Sequence, residues 1–167
     1  IYVTSGGQLR VTDPNATYGR PLTLSGTGWA EASGSFGALR FHAGSPPTWS
    51  GDITLAADAR IGAYNTGLGR VTGNISGSYQ LELWSDGASE SIMLAPGTAN
   101  TYSSTKITKI SAVAGKQNAF STGGLLLDGS GALVWVVLQE ELGEVEAYEG
   151  NFRPEAHLGA DFEGLVV

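Results

Sequence analysis

One pattern constrains this chain more than any single residue does. Short apolar units that stop at glycine, aspartate or proline recur along most of its length. Leu22-Thr23-Leu24-Ser25-Gly26, Ile53-Thr54-Leu55-Ala56-Ala57-Asp58, Leu81-Glu82-Leu83-Trp84-Ser85-Asp86-Gly87 and Ile92-Met93-Leu94-Ala95-Pro96-Gly97 share this grammar. In each, two branched apolar residues flank a third, and a turn former follows. Residues two apart face the same side of a strand, so every unit offers one narrow apolar face. None is long enough to bury itself. Stacked on its neighbours, the series builds a continuous core, which is how repeat architectures are stabilised.

The reading is therefore all-β, a right-handed parallel β-helix of short stacked strands, with a β-sandwich as the alternative. Glycine, at 25 of 167 residues, sits between the apolar units, where turns need positive φ. A sandwich favours tight hairpins of the Asp-Gly kind. Asp86-Gly87 and Asp128-Gly129 qualify, but most gaps are longer. Candidate strands include Leu22–Leu24, Ile53–Leu55, Arg60–Gly62, Tyr79–Trp84 and Leu133–Leu138, with units about 10–17 residues apart. Leu24, Leu55, Leu83, Leu94 and Leu127 are expected to point inward.

Several of these segments resemble the autotransporter-associated β-strand repeats of large bacterial surface proteins. They are Leu22-Thr-Leu-Ser-Gly-Thr-Gly28, Gly37-Ala-Leu-Arg-Phe41, the run Trp49 to Gly62, and Val71-Thr-Gly-Asn-Ile-Ser-Gly77. Ile92 to Tyr102 and on to Val113 is similar to the unit in which Asn-Thr-Tyr precedes a Thr-rich strand. That unit carries Gly-Gly-Thr-Thr after the tyrosine; here Ser103-Ser104-Thr105-Lys106 stands in its place. The resemblance spans residues 8–138 and implies a parallel β-helix in an extracellular or cell-surface protein, serving as stalk, fibre or adhesin scaffold. It brings no catalytic residues.

Charge divides the chain in two. Residues 1–139 hold eight acidic and eight basic side chains; residues 140–167 hold eight acidic ones against Arg153 alone. The whole net charge of −7 therefore lies in the last segment, a composition boundary that separates a repeat region (1–139) from an acidic cap, linker or inter-subunit contact (140–167). Eight carboxylates so close together repel unless neutralised, so a junction with another chain that is sensitive to divalent cations, calcium among them, is one expectation for this segment. Val145 and Ala147, alternating with Glu144 and Glu146, suit an edge strand with its charges outward.

Chemistry-bearing constellations are few. Cysteine is absent, which removes disulfides and thiolate metal sites. The two histidines, His42 and His157, stand far apart in sequence, and no Gly-x-Ser-x-Gly elbow accompanies them. Gly26-Thr27-Gly28 lacks the third glycine and following helix of a phosphate loop. Asp58 and Asp86 are read as turn formers at strand ends. Asp52, Asp58 and Asp86, stacked with Arg40, Arg60 or Arg70, would be the set to examine for calcium or a polysaccharide-degrading activity. An acidic chain without a basic stripe disfavours nucleic acid, and no run approaches the roughly 20 apolar residues of a membrane span.

Two contact surfaces remain as expectations. Trp49, after Pro46-Pro47, is either core or an exposed ring for a glycan; as a ring it would mark a carbohydrate-binding module. The apolar ends, Ile1 and Val3 at one and Leu165, Val166 and Val167 at the other, are candidate inter-subunit contacts. A chain that opens on a strand without an initiator Met is expected to be a processed chain or a piece of a longer one. It is expected to pack head to tail with subunits or further coils.

Overall fold

The structure, a computed structural model, describes residues 1–32, 34–42, 46–64, 68–85, 90–108, 111–114, 119–121, 123–128, 133–139 and 145–148. The described residues form strands and turns only. The first turn contributes β1 (Tyr2–Val3), β2 (Leu9–Val11) and β3 (Thr17–Tyr18). The second contributes β4 (Leu22–Gly26), β5 (Ala30–Glu31), β6 (Gly34–Ser35), β7 (Leu39–Phe41) and β8 (Thr48–Trp49). Then follow β9 (Ile53–Ala63) and β10 (Leu68–Val71), and β11 (Ile75–Ser76), β12 (Gln80–Ser85) and β13 (Ser91–Leu94). The last turns carry β14 (Ser104–Thr108) and β15 (Ser111–Ala114), then β16 (Leu125–Asp128), β17 (Leu133–Gln139) and β18 (Val145–Tyr148).

These strands stack as a parallel β-solenoid of about five turns. One nine-stranded sheet gathers β1, β2, β4, β7, β9, β11, β12, β14 and β16; a seven-stranded sheet gathers β3, β8, β10, β13, β15, β17 and β18. Every pairing within them is parallel except β17 with β18. Register partners one turn apart, such as Ile53 and Ile75, Leu81 and Thr105, or Thr105 and Leu125, are separated by 22, 24 and 20 residues. The 10–17-residue spacing read from the sequence is therefore the interval between strands of one turn, and two or three strands make the turn.

The core is built from columns of like residues. Leu9, Leu39, Ile61, Leu83, Ile107 and Leu127 stand in one register through β2, β7, β9, β12, β14 and β16. The four in the middle are fully buried, whereas Leu9 and Leu127 at the two ends are partly exposed. Leu24, Leu55, Leu83 and Leu94 point inward as expected, and Leu127 packs against the core from its end. Burying each such side chain contributes about 1.5–3 kcal/mol.

Corners between strands are closed by side chains that reach the neighbouring coil. The Asp52 carboxylate accepts the Asn74 amide N–H at 3.0 Å. The Asn74 side chain donates to Thr98 Oγ1 and accepts the Thr98 N–H at 3.2 Å. One step further round, Asn100 accepts the Ile75 N–H at 2.7 Å and donates to the Ala119 carbonyl at 2.6 Å, all of it buried. Polar groups that turns leave unpaired are thus satisfied from the next coil.

Two sequence readings need correction. Ile53–Leu55 and Arg60–Gly62 are one strand, β9, which carries extra residues opposite β4 where the register shifts between Leu24 and Gly26. Asp58 consequently lies within a strand at this irregularity, not at a turn, and its carboxylate accepts the Gln80 N–H at 2.9 Å. The sequence hid this, because Asp58 is a turn former placed just after an apolar unit. Within the acidic segment, Val145–Tyr148 adds to β17 as an antiparallel edge strand.

Candidate functional site

The outer face of the larger sheet carries most of the described ionisable contacts. Arg60, Glu82, Lys106 and Leu126 share one outward column; Arg40, Gly62, Trp84, Thr108 and Asp128 share the next, with Arg10 at its foot. Glu82 is the hub. It accepts from Arg60 Nε at 2.7 Å and Thr108 Oγ1 at 2.9 Å, and it faces Lys106 Nζ at 3.7 Å. Lys106 continues the alternation to Asp128 at 2.8 Å. That hydrogen bond, with Glu82 behind it, raises the Lys106 ammonium above its ordinary value.

A hairpin of β5 and β6 lies over this face. Its Phe36 ring meets Trp84 edge-on at 5.0 Å and Tyr64 at 5.7 Å. The Arg40 guanidinium lies against both Phe36 and Tyr64, 4.4 and 4.6 Å from the ring centroids, and donates to Glu31 at 2.6 Å. Arg60 donates to the Ser35 carbonyl. Rings and guanidinium attract each other most strongly where water is excluded. Gly62 permits the approach, since a Cβ there would overlap the carbonyl oxygen of Phe36. At the lower edge, Arg10 donates to His42 Nε2 at 3.2 Å. Burial, then the Arg10 and Arg40 charges, lowers the His42 pKa. His42 Nδ1 and Arg40 Nε are buried without a hydrogen-bond partner.

The second feature is the solenoid's N-terminal end. A cavity of about 410 Å³ opens there, lined among others by Leu9, Arg10, Val11, Tyr18, Arg20 and Trp49. Trp49 is only 2% exposed and stacks on Tyr18, with ring centroids 5.8 Å apart and planes inclined by 13°. The exposed-ring alternative for Trp49 is thereby corrected: its ring is core, with Nε1 buried and unpartnered. Its register explains this, because Tyr18, Trp49, Val71 and Leu94 form one column in the second sheet. Among the end residues, Ile1 is half-exposed and Val3 is buried beside Leu24. Leu165, Val166 and Val167 lie outside the described residues.

Of the acids and bases singled out in the sequence, Asp52 and Asp58 each bond the backbone of the next coil. Arg40 and Arg60 join the outer cluster, Arg70 is exposed, and Asp86 lies outside the described residues. Among the described residues no three His, Asp or Glu side chains stand together as a metal site. The junction sensitive to divalent cations was expected in 140–167, of which only the strand Val145–Tyr148 is described. The hairpin cluster escaped the sequence reading; its one signal was the glycine-rich stretch 26–37 between two apolar units. Comparison with protein-family models, with curated proteins and with solved structures gave no match.

Proposed function

We propose that the chain is a structural β-solenoid segment, a stalk, fibre or adhesin scaffold of a bacterial cell surface, that packs end to end with subunits or further coils. The observation that carries this reading is how its ionisable groups are used. Arg60, Glu82, Lys106 and Asp128 pair from one coil to the next, and Asp52, Asp58, Asn74 and Asn100 bond adjacent coils. A reaction centre needs such groups to converge on a cleft; here they are spent along the stack. The cell-surface location is supported by the resemblance of the strand units to autotransporter-associated repeats. Immunogold labelling of source cells, with imaging of the native assembly, tests it. Surface-bound filaments or stalks are expected; discrete particles inside the cell would refute it.

A glycan-binding role is a second reading, and it moves from Trp49 to Trp29, a residue 64% exposed beside the hairpin. Glycan-array binding that disappears on Trp29→Ala would favour it.

A further inference from the structure

Two segments of the chain carry the Asn-x-Thr/Ser pattern of an acceptor for sugar on the asparagine amide: Asn15-Ala16-Thr17 and Asn74-Ile75-Ser76. The fold separates them. Asn74 is half-buried at a corner between coils, where its side chain donates to Thr98 Oγ1 and accepts the Thr98 N–H at 3.2 Å. Its backbone N–H is held by Asp52, and Ile75 and Ser76 form β11, paired with β9. Both ends of that amide are committed to the stack. Asn15 is the opposite case. It is exposed, as is Thr17, and its side chain takes no hydrogen bond from the described residues. It follows Pro14 in the turn 13–16, which the Ala16 N–H closes on the Asp13 carbonyl at 3.4 Å. Its φ of 58° is the one positive value among described residues other than glycine, as a turn with proline at its second position asks of its third. The turn joins β2 of the larger sheet to β3 of the smaller, and so lies at a corner of the stack, outside both sheets.

We infer that Asn15 is a modification site, the acceptor of an N-linked sugar, and that Asn74 is not. This rests on the cell-surface reading above, since the pattern acts as an acceptor on the surface loops of exported chains. An amide nitrogen is a weak nucleophile, because its lone pair is shared with the carbonyl. A transferase must therefore grip the asparagine together with the hydroxyl two residues on, and both are accessible at 15 and 17. Asn15 Nδ2 forms a bond to the anomeric carbon of a sugar activated by a phosphate on that carbon. The bond from that carbon to the phosphate oxygen breaks, the phosphate leaves with the electron pair, and one Nδ2 proton passes to a base of the transferase. At Asn74 the same step would have to break both Thr98 bonds and draw β11 away from β9. A sugar is bulky and polar, so it needs the surface; from the corner turn it extends into solvent and leaves the buried columns and the strand pairing intact.

Peptide mapping by mass spectrometry, on the full chain purified from its source cells, tests the site. The wild-type peptide that holds residues 13–17 should be heavier by one or more sugar residues, and the peptide that holds Asn74 should have its unmodified mass. Enzymatic release of the sugar should leave aspartate at position 15. In the same cells Thr17→Ser, which keeps the hydroxyl, should retain the added mass. Asn15→Gln and Thr17→Val should each lose it; the valine keeps the shape and strand preference of Thr17. A single added sugar identifies a nucleotide-activated donor and an oligosaccharide a lipid-linked one, and either supports the site. A bare Asn15, or a sugar on Asn74, would overturn the inference. So would added mass that survives Asn15→Gln, because the sugar then sits on a hydroxyl. Immunogold labelling of the same cells separates this failure from that of the scaffold reading. A surface-bound chain with a bare Asn15 overturns the site alone, whereas a chain confined inside the cell with a bare Asn15 overturns both.

Discussion

Leu83 shows at the residue scale what the repeat does energetically. Its side chain is sealed by Ile61 below and Ile107 above, each in register with it. Leu83→Ala should destabilise the chain by about 2–5 kcal/mol in denaturant unfolding, whereas Leu125→Ala, at a half-exposed side chain, should cost well under half of that. Equal losses at the two sites would contradict the difference in burial between Leu83 and Leu125. His42 is a residue of a different kind. Its folded pKa lies below the ordinary 6.5 because burial and the neighbouring Arg10 and Arg40 disfavour the cation. Glu31, which pairs with Arg40, offsets part of that repulsion. The unfolded chain then takes up the proton first as pH falls. Stability is full above about pH 6.5 and declines from there down to the lowered folded pKa. Chemical denaturation at pH 8, 6 and 5 should reveal this slope in the wild type and a shallower one in His42→Gln. Identical slopes would contradict the burial of the ring.

The strand units were legible at the scale of elements because their apolar residues alternate, and alternation is the direct imprint of a sheet face. Four of the five leucines picked from that alternation are buried. What the pattern could not convey was how strands add up to a turn. Register between coils is a long-range property, and the bulge at Ala56-Ala57-Asp58 reads locally as a break. Trp49 shows the same limit: its proline-rich flank looks like a surface loop, and only the column through Tyr18, Val71 and Leu94 makes it core. The hairpin over Arg40 and Arg60 was equally hidden, since its contacts join residues such as Phe36 and Trp84 that no local pattern connects. Gly62 is the seat of that arrangement. Gly62→Ala should drive the hairpin off the sheet, costing about 1–3 kcal/mol and speeding proteolytic cleavage within residues 27–37 while leaving the strand stack assembled. Unchanged cleavage and stability would show that the hairpin does not rest on this glycine.

For the whole molecule, a single direction of stacking organises everything described. Columns of leucine and isoleucine run inside, columns of paired charge run outside, and Asp52, Asn74, Thr98 and Asn100 tie the corners. A chain built this way is stabilised by nearest-neighbour contacts between coils. The scaffold reading depends on that geometry. The most direct measurement is the distance between spin labels on Arg10→Cys and Asp128→Cys, introduced together into a chain that has no other cysteine and diluted with unlabelled protein to suppress contacts between copies. These positions open and close one outward column of six strands, so five spacings of about 4.8 Å place their backbones about 24 Å apart. A single narrow distribution centred near that value, widened only by the label arms, is the predicted result; a broad distribution, or one centred far from it, would contradict the solenoid and its register.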